Sequence, residues 1–138
     1  MTIRTKSGRA VAPIEVLELT PLRYRALLTK VTLGLPDAPL VLADLVGPLT
    51  GTIYSLHDPG FPAVNSVENT DLIATNRATL DAAGELTLLL NDADNGVLDP
   101  TLPVERHGVR IKAPYSLSPP LTGVFELEVR VRNRALAP

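Results

Sequence analysis

Few side chains in this sequence are placed to do chemistry. There are two histidines, His57 and His107, and no cysteine, which excludes disulfide scaffolds, thiolate metal sites and cysteine nucleophiles. His57 precedes the turn signal Asp58-Pro59-Gly60, an ordinary strand end. His107 follows Glu105-Arg106 at the start of a β-type run, where a hydrogen-bonded structural histidine is expected. A two-histidine metal site would need both plus a carboxylate such as Asp58 or Asp99, and their spacing does not call for it. Glu126 and Glu128 share one strand face at about 6.5–7 Å, within the range that glycosidases use. Both alternate with cations, however, and no aromatic-walled cleft accompanies them. Gly-x-Ser-x-Gly elbows, phosphate loops and dinucleotide fingerprints are absent. The expectation is a non-enzyme with no catalytic residue, no cofactor and no metal.

One loop merits a cation test. Asn91-Asp92-Ala93-Asp94-Asn95-Gly96 offers several oxygen donors of the kind calcium prefers. Asp92 and Asp94 fit the alternation of a calcium loop, but Gly96 falls at the third ligand position and no glutamate stands at the twelfth. Turn chemistry of Asx residues accounts for the same composition.

The elements that must position these residues are short. Thirteen prolines and nine glycines among 138 residues leave little room for long helices. Residues 1–13 are polar and basic and read as an extended arm, with Arg4, Lys6 and Arg9 its charges. Residues 14–138 form the domain proper. Strands are expected at 14–19, at 25–33 (with a helix over 22–31 as the competing reading), over the apolar run 39–46 and at 51–57. A loop over 58–70 leads to a hairpin, 71–80 and 85–91, closed by Asp81-Ala82-Ala83-Gly84 with the glycine left-handed. In that hairpin Leu86, Leu88 and Leu90 share a face, with Leu72, Ala74, Ala78 and Leu80 beside them. After a polar loop over 91–103, two strands at 106–113 and 123–133 end the chain. In the last, Phe125, Leu127, Val129 and Val131 alternate with Glu126, Glu128, Arg130 and Arg132. Seven or eight strands without a βαβ rhythm make an all-β, antiparallel sandwich or jelly roll.

Charge narrows the partners. A net charge of −2 provides no field for nucleic acid, and no apolar run approaches a membrane span. The opening Met1-Thr2-Ile3-Arg4-Thr5-Lys6-Ser7-Gly8 lacks the apolar stretch of a secretory signal, so folding in the cytosol is expected. Pairing the last two strands sets Arg110 opposite Glu128 and Lys112 opposite Glu126, leaving Arg130, Arg132 and Arg134 as an unpaired ladder. That ladder is either a solvated face guarding an edge strand or a docking strip for an acidic protein surface or nucleic acid, and three arginines in a domain of net negative charge favour the protein. Asp92, Asp94 and Asn95 in the polar loop are further contact candidates. Aromatics are only 4% of the chain, so a stand-alone Ig-like or carbohydrate-binding module would depend on Tyr54, Phe61 and Tyr115.

The last third carries a resemblance. Asp94-Asn95, Val104-Glu105-Arg106-His107, Gly123, Glu126 and the closing Val129-Arg130-Val131-Arg132-Asn133 are similar to small structural proteins of tailed-bacteriophage virions, over roughly residues 85–133. The sequence departs from that pattern after His107, where Val109-Arg110-Ile111-Lys112 stands in place of aromatics. The resemblance implies a decoration, neck or tail subunit in the virion, assembled in the bacterial host cytoplasm. Its partners would be copies of itself, as a homo-oligomer, and other virion proteins, and it implies no active site.

Overall fold

The computed structural model describes residues 2–5, 13–31, 36, 38–57, 60–117 and 120–135. Alternation in the last strands decides one layer. In β9 (Val104–Leu117) and β10 (Pro120–Arg132) inward and outward residues alternate. The inward ones are apolar from Phe125 to Val131 and from Val109 to Ala113, with Glu105 and His107 continuing the inward face of β9. The two strands pair antiparallel along nearly their full length. On the other side of β9 lie β5 (Thr50–Ser55) and then the two-residue β6 (Thr70–Asp71). Beyond β10 lies β2 (Ile14–Leu17), which pairs with it in parallel. Sheet II is therefore β2-β10-β9-β5-β6.

Sheet I is built on β3 (Leu22–Val31). Leu22, Tyr24, Ala26 and Leu28 point inward while Arg23 and Arg25 point out; this period of two makes the segment a strand rather than the competing helix. β3 pairs with β1 (Thr2–Thr5), with β4 (Ala38–Pro39) and with β8 (Glu85–Leu90), and β8 pairs with β7 (Ala78–Leu80). The β7–β8 turn closes on Gly84 at φ +81°, where a Cβ would stand 2.8 Å from the Leu28 carbonyl oxygen. Any other residue there meets both positive φ and a backbone clash.

The chain is thus an all-β sandwich, with ten strands among the described residues. Leu86, Leu88, Leu90, Ala78, Leu80 and Leu28 of sheet I face Ile53, Val109, Ile111, Leu127, Val129 and Val131 of sheet II. Tyr24 stacks on Phe125 across the layers, ring centroids 6.4 Å apart. Leu40, Leu49, Val64, Val67 and Leu72, from the connections, seal the open sides. Each such side chain contributes about 1.5–3 kcal/mol on burial.

Several elements depart from expectation. The apolar run 39–46 is not a strand: after β4 the chain turns through a 3-10 segment, Leu42–Asp44, and Leu42 and Val46 are exposed. Asp44 imposes that turn, its carboxylate accepting from the Val41 N–H and the Lys30 ammonium. Of 71–80, only Ala78–Leu80 joins the hairpin. Asp71 Oδ1 accepts from the N–H groups of Ile73 and Ala74 and folds the next residues into a turn that leaves Ala74 exposed. β9 and β10 reach further toward their hairpin tip than expected, and their register is shifted by two: Arg110 faces Glu126, Lys112 faces Val124 and Glu128 faces Gly108. β10 lies between β9 and β2 and is no edge strand. Of the expected arm, Thr2–Thr5 is a strand of sheet I, while Lys6 and Arg9 lie outside the described residues.

Candidate functional site

The outward residues of sheet II form a charged lattice. Arg110 Nε donates to Glu126 Oε1 at 2.5 Å, with both side chains about half exposed. Glu128 sits between Arg130, whose Nε donates to it at 2.9 Å, and Arg106 at 3.8 Å; it separates two arginines that the register sets opposite each other. Glu126 also holds the Arg110 guanidinium above its ordinary value. Within this lattice lies a small aromatic island. Gly108 has no side chain, and the Tyr54 ring lies across it, so close that a Cβ at 108 would overlap the ring. The Arg110 guanidinium stands 5.6 Å from the Tyr54 centroid, and Phe61 meets that ring edge-on at 6.1 Å.

At the end of the sandwich where β2, β8 and β10 finish and β9 begins, buried polar side chains fix the loops. Asp94 is fully buried and accepts four hydrogen bonds: Arg77 Nε at 2.9 Å, Arg77 Nη2 at 3.1 Å, Asn65 Nδ2 at 2.9 Å and the Asn91 N–H at 3.0 Å. In return Asp94 holds the Arg77 guanidinium above its usual value. Asn95, also buried, secures the β2–β3 turn: its carbonyl accepts from the Leu19 N–H and its amide donates to the Thr20 carbonyl. Glu105, itself buried, accepts from the N–H groups of Leu98 and Asp99 and is hydrogen-bonded to the buried His107 Nε2. Asn133 donates to the carbonyls of Pro100 and Leu102. The loop over 91–103 is tied down along its whole length.

This frame holds large apolar side chains in solvent. Leu17, Leu19, Leu98 and Val104 are all exposed at this end, Leu19 by 51%. Leu19 also has φ +57°, and Phe61, 59% exposed, has φ +47°. Among the described residues, the other non-glycine residues at positive φ are Asn65, Ser66, Asn69 and Asn76, of which the asparagines tolerate that region. For a leucine or phenylalanine it costs of order 1–3 kcal/mol, and burial within the chain does not offset it for either. At the opposite end, Val41, Leu42, Ala43, Leu80, Asp81 and Ala82 line an apolar groove of about 270 Å³. A wider, open groove of about 560 Å³ crosses the outside of sheet I between Arg23, Asn76, Arg77 and Asp92.

The residues singled out from sequence are scattered by the fold. Asp94 and Asn95 face inward and brace their own chain, while Asp92 is exposed. Every donor around Asp94 is a nitrogen, Arg77 above all, and this is the environment of an ion pair rather than of a cation site. The ladder is not unpaired: Arg130 binds Glu128, and Arg134 donates to the Glu18 carbonyl and to Thr20. Arg132 is exposed beside them, and Arg4 lies in β1. His107 is buried against Glu105, and His57 is exposed near Asp99, whose carboxyl is lowered chiefly by hydrogen bonds from Thr101. Glu126 and Glu128 are each occupied by arginine. Tyr54 and Phe61 are neighbours, whereas Tyr115 packs against the core and burial pushes its phenol up. Among the described residues no three acidic or imidazole groups converge, and no helix is long and apolar enough to cross a membrane. Sequence reasoning missed Glu105 as a buried anchor, although it shares the inward face of β9 with His107, Val109 and Ile111. No protein-family model matches the chain, and no curated protein sequence does either.

Proposed function

We propose that this chain is a non-enzymatic structural subunit of a larger assembly, making protein–protein contacts through its ends and loops. The carrying observation is the group of exposed apolar side chains, Leu17, Leu19, Leu98 and Val104, on loops tied down by the buried side chains of Asn95 and Glu105. Burying polar side chains to immobilise solvent-facing leucines adds little to a lone domain and much to an interface, where preorganised apolar anchors supply binding energy. The narrower reading, a decoration, neck or tail component of a tailed-bacteriophage virion assembled in the bacterial host cytoplasm, draws on the motif resemblance across residues 85–133. Its partners are then other virion proteins and copies of itself, with neither nucleic acid nor membrane.

The test is to express the chain in its native genetic context, sediment the lysate through a sucrose gradient and locate the chain by mass spectrometry. Comigration with high-mass particles is the expected result. Sedimentation as a free single chain under particle-forming conditions would overturn the reading. A second reading, a stand-alone binding module, is favoured by the Tyr54–Phe61 pair beside Arg110. Saturable glycan binding lost in Tyr54→Ala would establish it instead.

A further inference from the structure

The two ends of the sandwich differ in a way that suits one to the other. The β2–β3 turn at one end presents Leu19 as a knob. Its backbone is held at positive φ by the Asn95 carbonyl, and Arg134 braces the turn through the Glu18 carbonyl and Thr20. Leu17 lies beside it on β2, and Arg132, exposed on β10, is the register partner of Leu17. The other end carries the groove between the 3-10 segment Leu42–Asp44 and the β7–β8 turn. Its lining is almost wholly apolar, with Asp81 exposed at its rim, and Leu42 is 52% exposed there. At about 270 Å³ it falls below the roughly 300–1,000 Å³ of sites for small organic ligands, a size suited to inserted side chains.

These patches lie at opposite ends of the same strands. β8 starts at the groove end and finishes at the knob end, and β9 leaves the knob end for the other. An end-on contact between the two leaves a free knob and a free groove at the outer ends. It is head-to-tail, and it generates a ring or a filament.

Resting on the reading of the chain as an assembly subunit, we propose that copies of it stack end to end, Leu19 of one entering the Leu42–Ala82 groove of the next, with Arg132 set against Asp81. The occupant is a second copy because the knob is apolar with a cation beside it and the groove is apolar with an anion at its rim. Leu19's unfavourable backbone conformation, without return in the isolated chain, is offset where its side chain is buried by the neighbour.

The test uses two full-length variants, Leu19→Glu and Leu42→Glu, each at an exposed site, with melting curves to confirm that both fold. Sedimentation velocity at rising concentration reads the association state. The wild-type chain is expected to form species larger than dimers. Each variant alone is expected to be monomeric, because every contact it could make lacks one half. An equimolar mixture should give a dimer and nothing larger, since one intact knob and one intact groove remain. Assembly unaffected by either variant, loss of assembly with only one of them, or a mixture that stays monomeric would overturn the stacking. A wild-type chain that is monomeric alone yet comigrates with particles in the gradient would sink the stacking and leave the assembly reading in place. A monomer in both experiments would sink both.

Discussion

Replacing Asp94 with alanine should be among the most damaging single substitutions in this protein. The carboxylate has no solvent exposure and accepts from Arg77 twice, from Asn65 and from the Asn91 N–H, while the Arg77 side chain is itself only 14% exposed. Alanine would leave a nearly buried guanidinium without a counter-charge and a backbone N–H without an acceptor. Breaking a buried pair by removing one partner costs about 3–5 kcal/mol, and the orphaned N–H adds about 1–3 kcal/mol where water cannot reach it. Local relaxation toward solvent recovers part of this, so the expected loss is about 3–5 kcal/mol. Urea denaturation of wild type, Asp94→Ala, Arg77→Met and the double variant measures it. The double variant should be more stable than Asp94→Ala alone, because the uncompensated charge is gone. A loss below about 1 kcal/mol, or a double variant whose loss equals the sum of the singles, would refute the claim that this pair anchors the loop.

Three further outcomes rest on the same geometry. Glu105→Ala should cost at least about 3 kcal/mol, since the Leu98 and Asp99 N–H groups and His107 lose their shared acceptor; Glu105→Gln, which keeps an acceptor oxygen, should recover part of it in the same urea series. Leu19→Gly should raise stability by about 1 kcal/mol by removing the strain of a left-handed leucine, and thermal melts of dilute protein read this without interference from association. Burial pushes the Asp44 carboxyl up, but the Lys30 ammonium and the Val41 N–H together hold it below its ordinary value. Its stabilisation is therefore complete above the unfolded value near about 4 and is lost as pH falls through the lower folded value. Asp44→Asn should flatten the stability profile below pH ~4 and leave the Leu42–Asp44 turn weaker at neutral pH.

Much of the fold was legible wherever one face of a strand is dry and the other wet. β10 could be read directly from Phe125, Leu127, Val129 and Val131 against Glu126, Glu128 and Arg130, and Gly84 marked the β7–β8 turn because that position demands positive φ. The register of β9 against β10 was legible only to within two residues. A shift of two returns every side chain to the same face, so alternation cannot distinguish Arg110 opposite Glu128 from Arg110 opposite Glu126. The run 39–46 misled because apolar content without alternation carries no period, and the decisive interaction, Asp44 with Lys30, joins residues the sequence does not visibly connect. The polar loop misled in a different way. Asp94 and Asn95 have the composition of an exposed turn, and only Arg77 and the β2–β3 turn, brought in from elsewhere, convert them into buried anchors. Glu105 could have been found by continuing the inward face of β9 back from Ile111 and Val109 through His107.

The parallel pairing of β2 with β10 has a consequence for how the protein is made. Among the described residues every strand of sheet I lies before residue 91, whereas sheet II needs both β2 and β10. On the ribosome, where synthesis runs at about 5–20 residues per second, sheet I can form while its apolar inner surface still lacks a covering layer. β2 must meanwhile wait beside it for a partner not yet translated. Contacts of such long sequence separation are slow to close, so the half-built sandwich is the species a chaperone would meet. Loss of the final few residues of β10, Val129–Arg132, would leave β2 without its pairing partners.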